Sequence, residues 1–164
     1  MGCHATDSVE SRAVKVIIVG CGRVGSTLAS RLDADGHEVT VIDERVQAFK
    51  RLSPQFKGKM VVGTGVDESV LRRAGIEGAD AFACITNGDN RNIMAAQIAK
   101  VIFKVPRVIT RIYDPIREEV YRNMGLETIC TTRIGTNLLH QYISTGVNHG
   151  HDAPIEAPGE KVAE

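Results

Sequence analysis

Short apolar runs alternate with amphipathic stretches along most of the chain. Apolar residues at helical spacing predict helices, and short apolar runs between turn signals predict buried strands. The predicted strands cover residues 15–19, 38–42, 60–62, 81–85, 108–110 and 128–130. The predicted helices cover residues 23–35, 44–52, 67–74, 89–103, 114–124 and 133–145. Strand and helix therefore alternate from the first element to the last.

This alternation predicts an α/β fold. The strands are apolar throughout, which is typical of strands in a parallel sheet that helices cover on both faces. Right-handed crossovers and two mononucleotide-binding halves give the strand order 3-2-1-4-5-6. We therefore expect a doubly wound, six-stranded parallel sheet of the Rossmann type. It should form one domain over residues 14–146, between disordered segments at 1–13 and 147–164.

A glycine-rich turn follows the first strand and opens the first helix. Its residues are Gly20, Cys21, Gly22, Arg23, Val24 and Gly25. Gly20 permits a tight turn, Gly22 leaves room for a pyrophosphate near the backbone, and Gly25 lets the helix lie close to the sheet. The free N–H groups at the start of that helix, together with its dipole, suit an anion. The turn therefore predicts a dinucleotide or nucleotide site.

An acidic residue stands at the end of the second strand. Asp43 lies about 20 residues beyond the glycines, where a carboxylate can accept hydrogen bonds from ribose hydroxyls. Its charge should repel a 2′-phosphate and so favour NAD or an adenosine nucleotide over NADP. Arg45 weakens this inference because it could partner such a phosphate, and Glu44 completes the end of the strand.

The ends of the other strands also carry candidates, because ligands of this fold bind outside the carboxyl ends of the strands. These candidates are Gly63, Thr64 and Gly65 after strand three, Thr86, Asn87, Asp89 and Asn92 after strand four, and Arg111 at strand five. The polar residues after strand four could recognise ligand hydroxyls or cap the next helix. Arg23 and Arg111 could pair with phosphate. Alternatively, Arg23 is solvated and Arg111 forms a structural salt bridge.

Composition narrows the class of function. The 164 residues include 20 basic and 20 acidic side chains, so the formal net charge of zero gives no field to attract nucleic acid. Cys3, Cys21, Cys84 and Cys130 form no CxxC pair, which favours buried thiols in a reducing cytosol. No apolar run approaches the length of about 20 residues that a membrane span needs.

Residues for catalysis are not evident at the strand ends. A nicotinamide-dependent dehydrogenase needs a proton donor or acceptor near the hydride, and the predicted strand ends show no His, Lys or Tyr. The sequence also lacks a P-loop, a nucleophile elbow and a cluster of metal ligands. We therefore expect a module that binds a nucleotide without transforming it. The alternative is a small NAD-dependent oxidoreductase or its detached cofactor domain.

Several segments together resemble one family. They read IIVGCGRVGSTLASRL, VTVID, VVGTGVDESVLRRAGIEGADAFACITNGDNRNIMAAQIAK and VITRIYDP. This pattern resembles the N-terminal nucleotide-binding domain of the regulators of K⁺ conductance, called RCK or KTN domains. The resemblance covers about residues 14–145. The family commonly has Gly-Asp-Ala where this chain has Gly63-Thr64-Gly65.

The resemblance implies a cytoplasmic regulatory subunit. Such a protein binds NAD(H), ATP, ADP or AMP without consuming it and gates a membrane potassium channel or transporter. It assembles through its Rossmann domain as a homodimer or higher oligomer and binds no nucleic acid. By motif, the three glycines would contact phosphates, Asp43 the ribose, Arg23 and Arg111 the phosphate side, and Asn87 and Asp89 the far wall.

Overall fold

The computed structural model describes residues 12–145. The predicted disordered segments at 1–13 and 147–164 therefore fall almost entirely outside the described residues. Six parallel strands form one sheet in the order 3-2-1-4-5-6. They are β1 (Lys15–Val19), β2 (Glu38–Asp43), β3 (Lys59–Val62), β4 (Ala81–Cys84), β5 (Arg107–Arg111) and β6 (Glu127–Ile129). The predicted strands, their parallel direction and their order are confirmed.

In the described part of the chain, four α-helices lie between strands of the sheet, and a fifth follows the last strand. They are α1 (Arg23–Ala34), α2 (Glu68–Ala74), α3 (Asp89–Gln97), α4 (Pro115–Asn123) and α5 (Thr131–Thr145). The predicted helix at 89–103 is present but changes character, because α3 continues as a π-helix over Ile98–Ile102. A short 3₁₀ helix, Ile76–Gly78, was not predicted. The predicted Rossmann fold, with helices on both faces of the sheet, is confirmed.

The connection between β2 and β3 differs from the prediction. An α-helix was expected over 44–52, but the chain forms a 3₁₀ helix over Val46–Arg51. Pro54 disfavours helical backbone at the residue before it, so at most residues 44–52, about two and a half α-helical turns, are available. A segment this short gains few α-helical hydrogen bonds, and the tighter 3₁₀ turn is common in such connections.

The core lies on both faces of the sheet. Ile17 and Val19 of β1 pack into a cluster with residues of α2 and α3, among them Leu71. Ile18, one residue over, points to the opposite face and packs with Ala29 of α1. Alternate side chains of one strand thus enter different layers, as the pleat requires. The continuous apolar character of the strand follows from this double burial.

Aspartate side chains cap the first turns of two helices. Asp67 caps α2 by accepting from the backbone N–H groups of Ser69 and Val70. Asp114 caps α4 in the same way, with Pro115 at the first helical position. Such side-chain acceptors satisfy N–H groups that have no partner inside the helix. The first turns of α2 and α4 are therefore fixed by residues that are their neighbours in sequence.

The described chain divides into two compact units, with the boundary between Thr131 and Thr132. The sheet and helices α1 to α4 belong to the first unit. Most of α5 belongs to the second unit; it is an amphipathic helix whose Leu139, Tyr142 and Ile143 are exposed. Within residues 12–145, no helix combines the length and apolar character that crossing a membrane requires.

Candidate functional site

A cavity of about 650 Å³ opens at the carboxyl ends of the central strands. β1 lies between β2 and β4 in the sheet, so the chain leaves in opposite directions on either side of this point. Ligands of doubly wound folds bind at such a reversal of strand order. The cavity wall includes these candidates: Gly20, Gly22, Arg23, Val24, Asp43, Glu44, Arg45, Gly63, Thr64, Gly65, Thr86, Asn87 and Arg111. The fold thus brings most of the sequence candidates together.

The glycine turn forms the floor of the cavity. Gly20 has φ +104°, a conformation that glycine adopts without strain. A Cβ at Gly25 would stand 1.8 Å from the carbonyl oxygen of Gly20, so the helix approaches the turn more closely than any side chain allows. A Cβ at Gly22 would meet no atom within 4 Å, because that position faces open space. The space at Gly22 is therefore available to a ligand.

Asp43 connects the end of β2 to the glycine turn. Its Oδ2 accepts from the backbone N–H of Cys21 at 2.8 Å, and its Oδ1 accepts from the backbone N–H of Arg45 at 2.9 Å. The Arg45 side chain also lies near this carboxylate, with Nε 3.8 Å from Oδ1. The two oxygens offer about four acceptor positions, so hydroxyl groups of a ligand can still be bound. The ribose role of Asp43 stays a prediction that this geometry permits.

The turn after β3 forms one side wall. The backbone N–H of Gly63 donates to the carbonyl oxygen of Asp43 at 3.0 Å, which places the turn beside the end of β2. A Cβ at Gly65 would come within 2.7 Å of the Val19 side chain. The second glycine of the triplet is therefore explained by close packing on β1. Thr64 lies between these glycines on the cavity wall.

Asn92 lies outside the cavity wall and is fully buried. Its Oδ1 accepts from the backbone N–H and hydroxyl of Thr86, at 3.0 and 2.6 Å. Its Nδ2 donates to the carbonyl oxygens of Thr86 and Arg111, at 3.0 and 2.9 Å. The amide thus joins the ends of β4 and β5. Its polar atoms are engaged by the protein, so it positions the wall rather than contacting the space.

Asp89 is also used inside the protein. Its carboxylate accepts from the backbone N–H groups of Tyr113 and Asp114, at 2.9 and 3.3 Å. It therefore holds the loop after β5 against the start of α3. Asp89 does not cap α3, which was the alternative role, because Gly88 is the N-cap residue and no side chain caps that end of the helix. Cys21 and Gly25 likewise support the turn from outside the cavity wall.

Arg111 is buried at the edge of the cavity, with 8% of its surface exposed. Its Nη2 donates to the carbonyl oxygens of Ile85 and Thr86, both at 2.7 Å. The Tyr113 ring covers the guanidinium, with 4.4 Å between Cζ and the ring centre. The structural salt bridge considered for Arg111 is replaced by these bonds to backbone carbonyls. Its positive charge remains at the cavity, because carbonyl groups do not neutralise it.

Tyr113 and Arg91 are among the residues of the cavity wall that the sequence analysis did not predict. Tyr113 lies two positions beyond β5, where the loop turns back over the crevice, so the expectation of no tyrosine at the strand ends is wrong. Arg91 projects from the first turn of α3 and pairs with Glu44, at 3.1 Å between Nη1 and Oε2. Its position in the first turn of the helix that begins just after Asn87 was the signal that could have found it, because ligands of this fold bind at the carboxyl ends of the strands.

Burial governs the cysteines near the site. It raises the pKa of Cys21 to about 11, with Asp43 adding to the rise and Arg51 opposing it. Burial also raises the pKa of Cys84 to about 12. The predicted buried thiols are confirmed for Cys21, Cys84 and Cys130, whereas Cys3 lies outside the described residues. In the part of the chain that the structure describes, no three His, Cys, Asp or Glu residues form a metal-ligand group.

Comparison with protein families gives a match over most of the sheet. Residues 16–132 match the model of the TrkA-N domain. A Trk system potassium uptake protein TrkA of Streptomyces coelicolor is 51% identical over 118 residues, which are 72% of this chain and 53% of that protein. A TrkA homologue of Pyrococcus abyssi is 34% identical over 109 residues, 66% of this chain and 48% of that protein. The chain spans about half the length of these relatives.

Solved structures share the fold. The ADP-bound GsuK structure has a TM-score of 0.68 at 23% identity, and the match covers 82% of this chain and 35% of the GsuK chain. The AMP-bound C-terminal domain of Kef from Shewanella denitrificans has a TM-score of 0.66 at 20% identity and covers 82% of each chain. A GsuK channel bound to NAD has a TM-score of 0.64 at 21% identity, and the match covers 79% of this chain and 24% of the channel chain.

Proposed function

This chain belongs to the TrkA-N domain family, and we propose that it binds an adenine nucleotide in the crevice between β1 and β4 as a regulatory module of potassium transport. The observation that carries the nucleotide part is the open space at Gly22. A Cβ there would meet nothing within 4 Å, at the start of a helix whose N–H groups suit phosphate. Bare backbone at a helix start is what a pyrophosphate requires.

The walls of the crevice fit the rest of a nucleotide. Asp43 stands where the adenine-side ribose would lie and has acceptor positions left for its hydroxyls. Thr64 and the backbone around it offer short polar groups beside the base. Arg23 stands beside the phosphate position, and its guanidinium forms no hydrogen bond or ion pair within residues 12–145. These features suit NAD(H), ATP, ADP or AMP.

We propose further that the nucleotide is bound and not transformed. Cys21 and Cys84 are buried thiols whose raised pKa keeps them protonated near neutral pH, so neither is suited to act as a nucleophile there. Tyr113 faces the crevice, but its ring lies over Arg111. The second candidate, an NAD-dependent oxidoreductase, depends on that tyrosine as a proton donor. Oxidation of NADH followed by absorbance with simple carbonyl substrates distinguishes the two.

The partner proposed for this module is a membrane potassium channel or transporter. The support is the relatives' description as Trk system potassium uptake proteins, together with GsuK among the structures of the same fold. We propose a cytoplasmic location at the membrane surface and a homodimer or higher oligomer. A ligand can regulate such a partner only if it binds two states of the module with different affinity.

Two experiments test the proposal in turn. Titration calorimetry of the purified chain with AMP, ADP, ATP, NAD and NADH should show saturable binding of at least one nucleotide. Potassium uptake by cells that carry the cognate transporter should then change when the chain is removed and recover when it is supplied. Binding without an effect on uptake would leave the module a nucleotide binder and overturn its transport role. Absence of binding by all five nucleotides would overturn the whole proposal.

A further inference from the structure

An ion pair closes over the mouth of the crevice. Glu44 and Arg91 approach to 3.1 Å between Oε2 and Nη1, and the Nη2 of Arg91 donates to the Oδ1 of Asn87 at 3.3 Å. All three residues line the cavity. The two charged side chains remain half exposed, at 57% for Glu44 and 52% for Arg91. Solvent therefore reaches the pair from outside while the cavity lies on its inner side.

The strand order fixes what this pair crosses. Glu44 follows β2 directly, whereas Arg91 stands in the first turn of α3, which follows β4. β1 lies between β2 and β4 in the sheet. A contact between the two residues must therefore pass over the end of β1, where the glycine turn leads into α1. That is the place proposed above for the phosphates of the ligand.

The pair is weak enough to be exchanged. Ion pairs between exposed side chains contribute little to stability, because water screens them and two long side chains are immobilised. A terminal phosphate carries more charge than one carboxylate and offers three acceptor oxygens. Arginine binds phosphate through two parallel N–H groups, which strengthens the contact. A phosphate at the mouth should therefore displace Glu44 from Arg91.

We propose that Arg91 selects ligands by the charge of their terminal phosphate and that Glu44 competes with the ligand for it. This inference rests on the proposed nucleotide site. In the empty crevice, Glu44 holds Arg91 across the mouth. ADP or ATP draws the guanidinium onto its last phosphate group. NAD has only diester phosphates with one charge each, and adenosine has none, so both gain less from Arg91.

Substitutions of Arg91 and of Glu44 should have opposite effects on ADP affinity. Arg91→Gln removes the cation that would bind the terminal phosphate. Loss of a charge-assisted hydrogen bond of this kind should lower ADP affinity about 10-fold. Glu44→Gln removes the competitor and should raise ADP affinity about 2- to 4-fold, the range of an exposed ion pair. If the ion pair only stabilised the crevice, both Arg91→Gln and Glu44→Gln would lower ADP affinity. The direction of the change in ADP affinity in Glu44→Gln therefore distinguishes competition with the ligand from a purely structural role.

The experiment compares adenosine, NAD, ADP and ATP by titration calorimetry on the wild type and on Arg91→Gln, Glu44→Gln and the double variant. The expected result is a loss with Arg91→Gln and a gain with Glu44→Gln for ADP and ATP, with adenosine changed less than 2-fold in both. The double variant should bind ADP like Arg91→Gln. Glu38→Gln is the matched control, because Glu38 pairs with Lys15 at the opposite end of β2.

The outcomes separate this inference from the function on which it rests. If the wild type binds ADP but both single variants weaken it, or if adenosine and ADP respond equally, Arg91 does not select by phosphate charge. If the wild type binds none of the four compounds, the nucleotide site itself is wrong. Raising the salt concentration should reduce the difference between Arg91→Gln and the wild type, because exposed charges are screened.

Discussion

Asp43 and Cys21 are joined by a hydrogen bond of 2.8 Å from the backbone N–H of Cys21 to Oδ2 of the aspartate. The bond links the end of β2 to the glycine turn after β1. The residue proposed to bind ribose is therefore the same residue that holds the phosphate-binding turn in place. The Asp43 side chain is only 11% exposed, so its orientation is fixed before a ligand arrives. Preorganisation of this kind reduces the cost of binding.

Replacing Asp43 should alter stability and ligand choice together. Asp43→Ala leaves two backbone N–H groups without an acceptor, which should cost about 1–3 kcal/mol of unfolding free energy. The wild type should bind ADP more tightly than 2′-deoxy-ADP, and Asp43→Ala should bind the two equally. Urea denaturation and calorimetry measure the two effects. A preference for the 2′-hydroxyl that persists in the variant would assign ribose recognition to another residue.

Asn92 should be essential for the wall of the crevice although it does not face the ligand. Asn92→Ala removes the acceptor of the Thr86 N–H and the donor to the Arg111 carbonyl, so buried polar groups lose their partners. We expect a loss of about 2–4 kcal/mol in unfolding free energy. Asn123→Ala, at an exposed position of α4, is the control and should change stability by less than about 0.5 kcal/mol. Equal effects at the two positions would contradict the bridging role.

Lys104 has φ +54°, a backbone conformation that residues other than glycine adopt only at a cost in free energy. Lys104→Gly should relieve about 1 kcal/mol of backbone strain, of which part is offset by the greater freedom of glycine in the unfolded chain. We therefore expect a small rise in the thermal midpoint. Lys57→Gly, where φ is not positive, should lower it. A drop at both positions would show that the backbone at Lys104 is not strained.

Cys84 should make stability depend on pH in the alkaline range. Burial raises the pKa of its thiol from 9.0 to about 12, so the folded chain keeps a proton that the unfolded chain has lost. The stabilisation is complete below pH 9 and decreases as pH rises towards 12. Cys84→Ala should therefore show a shallower fall in unfolding free energy above pH 9, as measured by urea denaturation at several pH values. Parallel curves for the two proteins would contradict the raised pKa.

The fold and the floor of the crevice could be predicted because their signals are local. The turn from Gly20 to Gly25, the acid at Asp43 and the alternation of strand and helix each stand in one stretch of sequence. Caps at Asp67 and Asp114 are local in the same sense. These features need only a few neighbouring residues to be recognised.

The partners across the crevice could not be predicted in the same way. Glu44 meets Arg91 47 positions later, and Asp89 accepts from the backbone of Tyr113 24 positions later. Such pairs depend on strand order and loop path, which place them within a few ångströms. The sequence could suggest Asn92 as a polar group near the site. Only the fold shows that its amide joins two strand ends.

The most direct test of the nucleotide site compares ADP binding by Gly22→Ala and by the wild type. A Cβ at Gly22 meets no protein atom within 4 Å, so the variant should fold and lose at most about 1 kcal/mol at the helix start. Gly78→Ala, where a Cβ is equally free, is the control for the substitution itself. We predict that Gly22→Ala lowers ADP affinity at least about 10-fold, because the methyl group occupies the phosphate position. Unchanged ADP affinity in a folded Gly22→Ala protein would contradict binding of the phosphates at this turn.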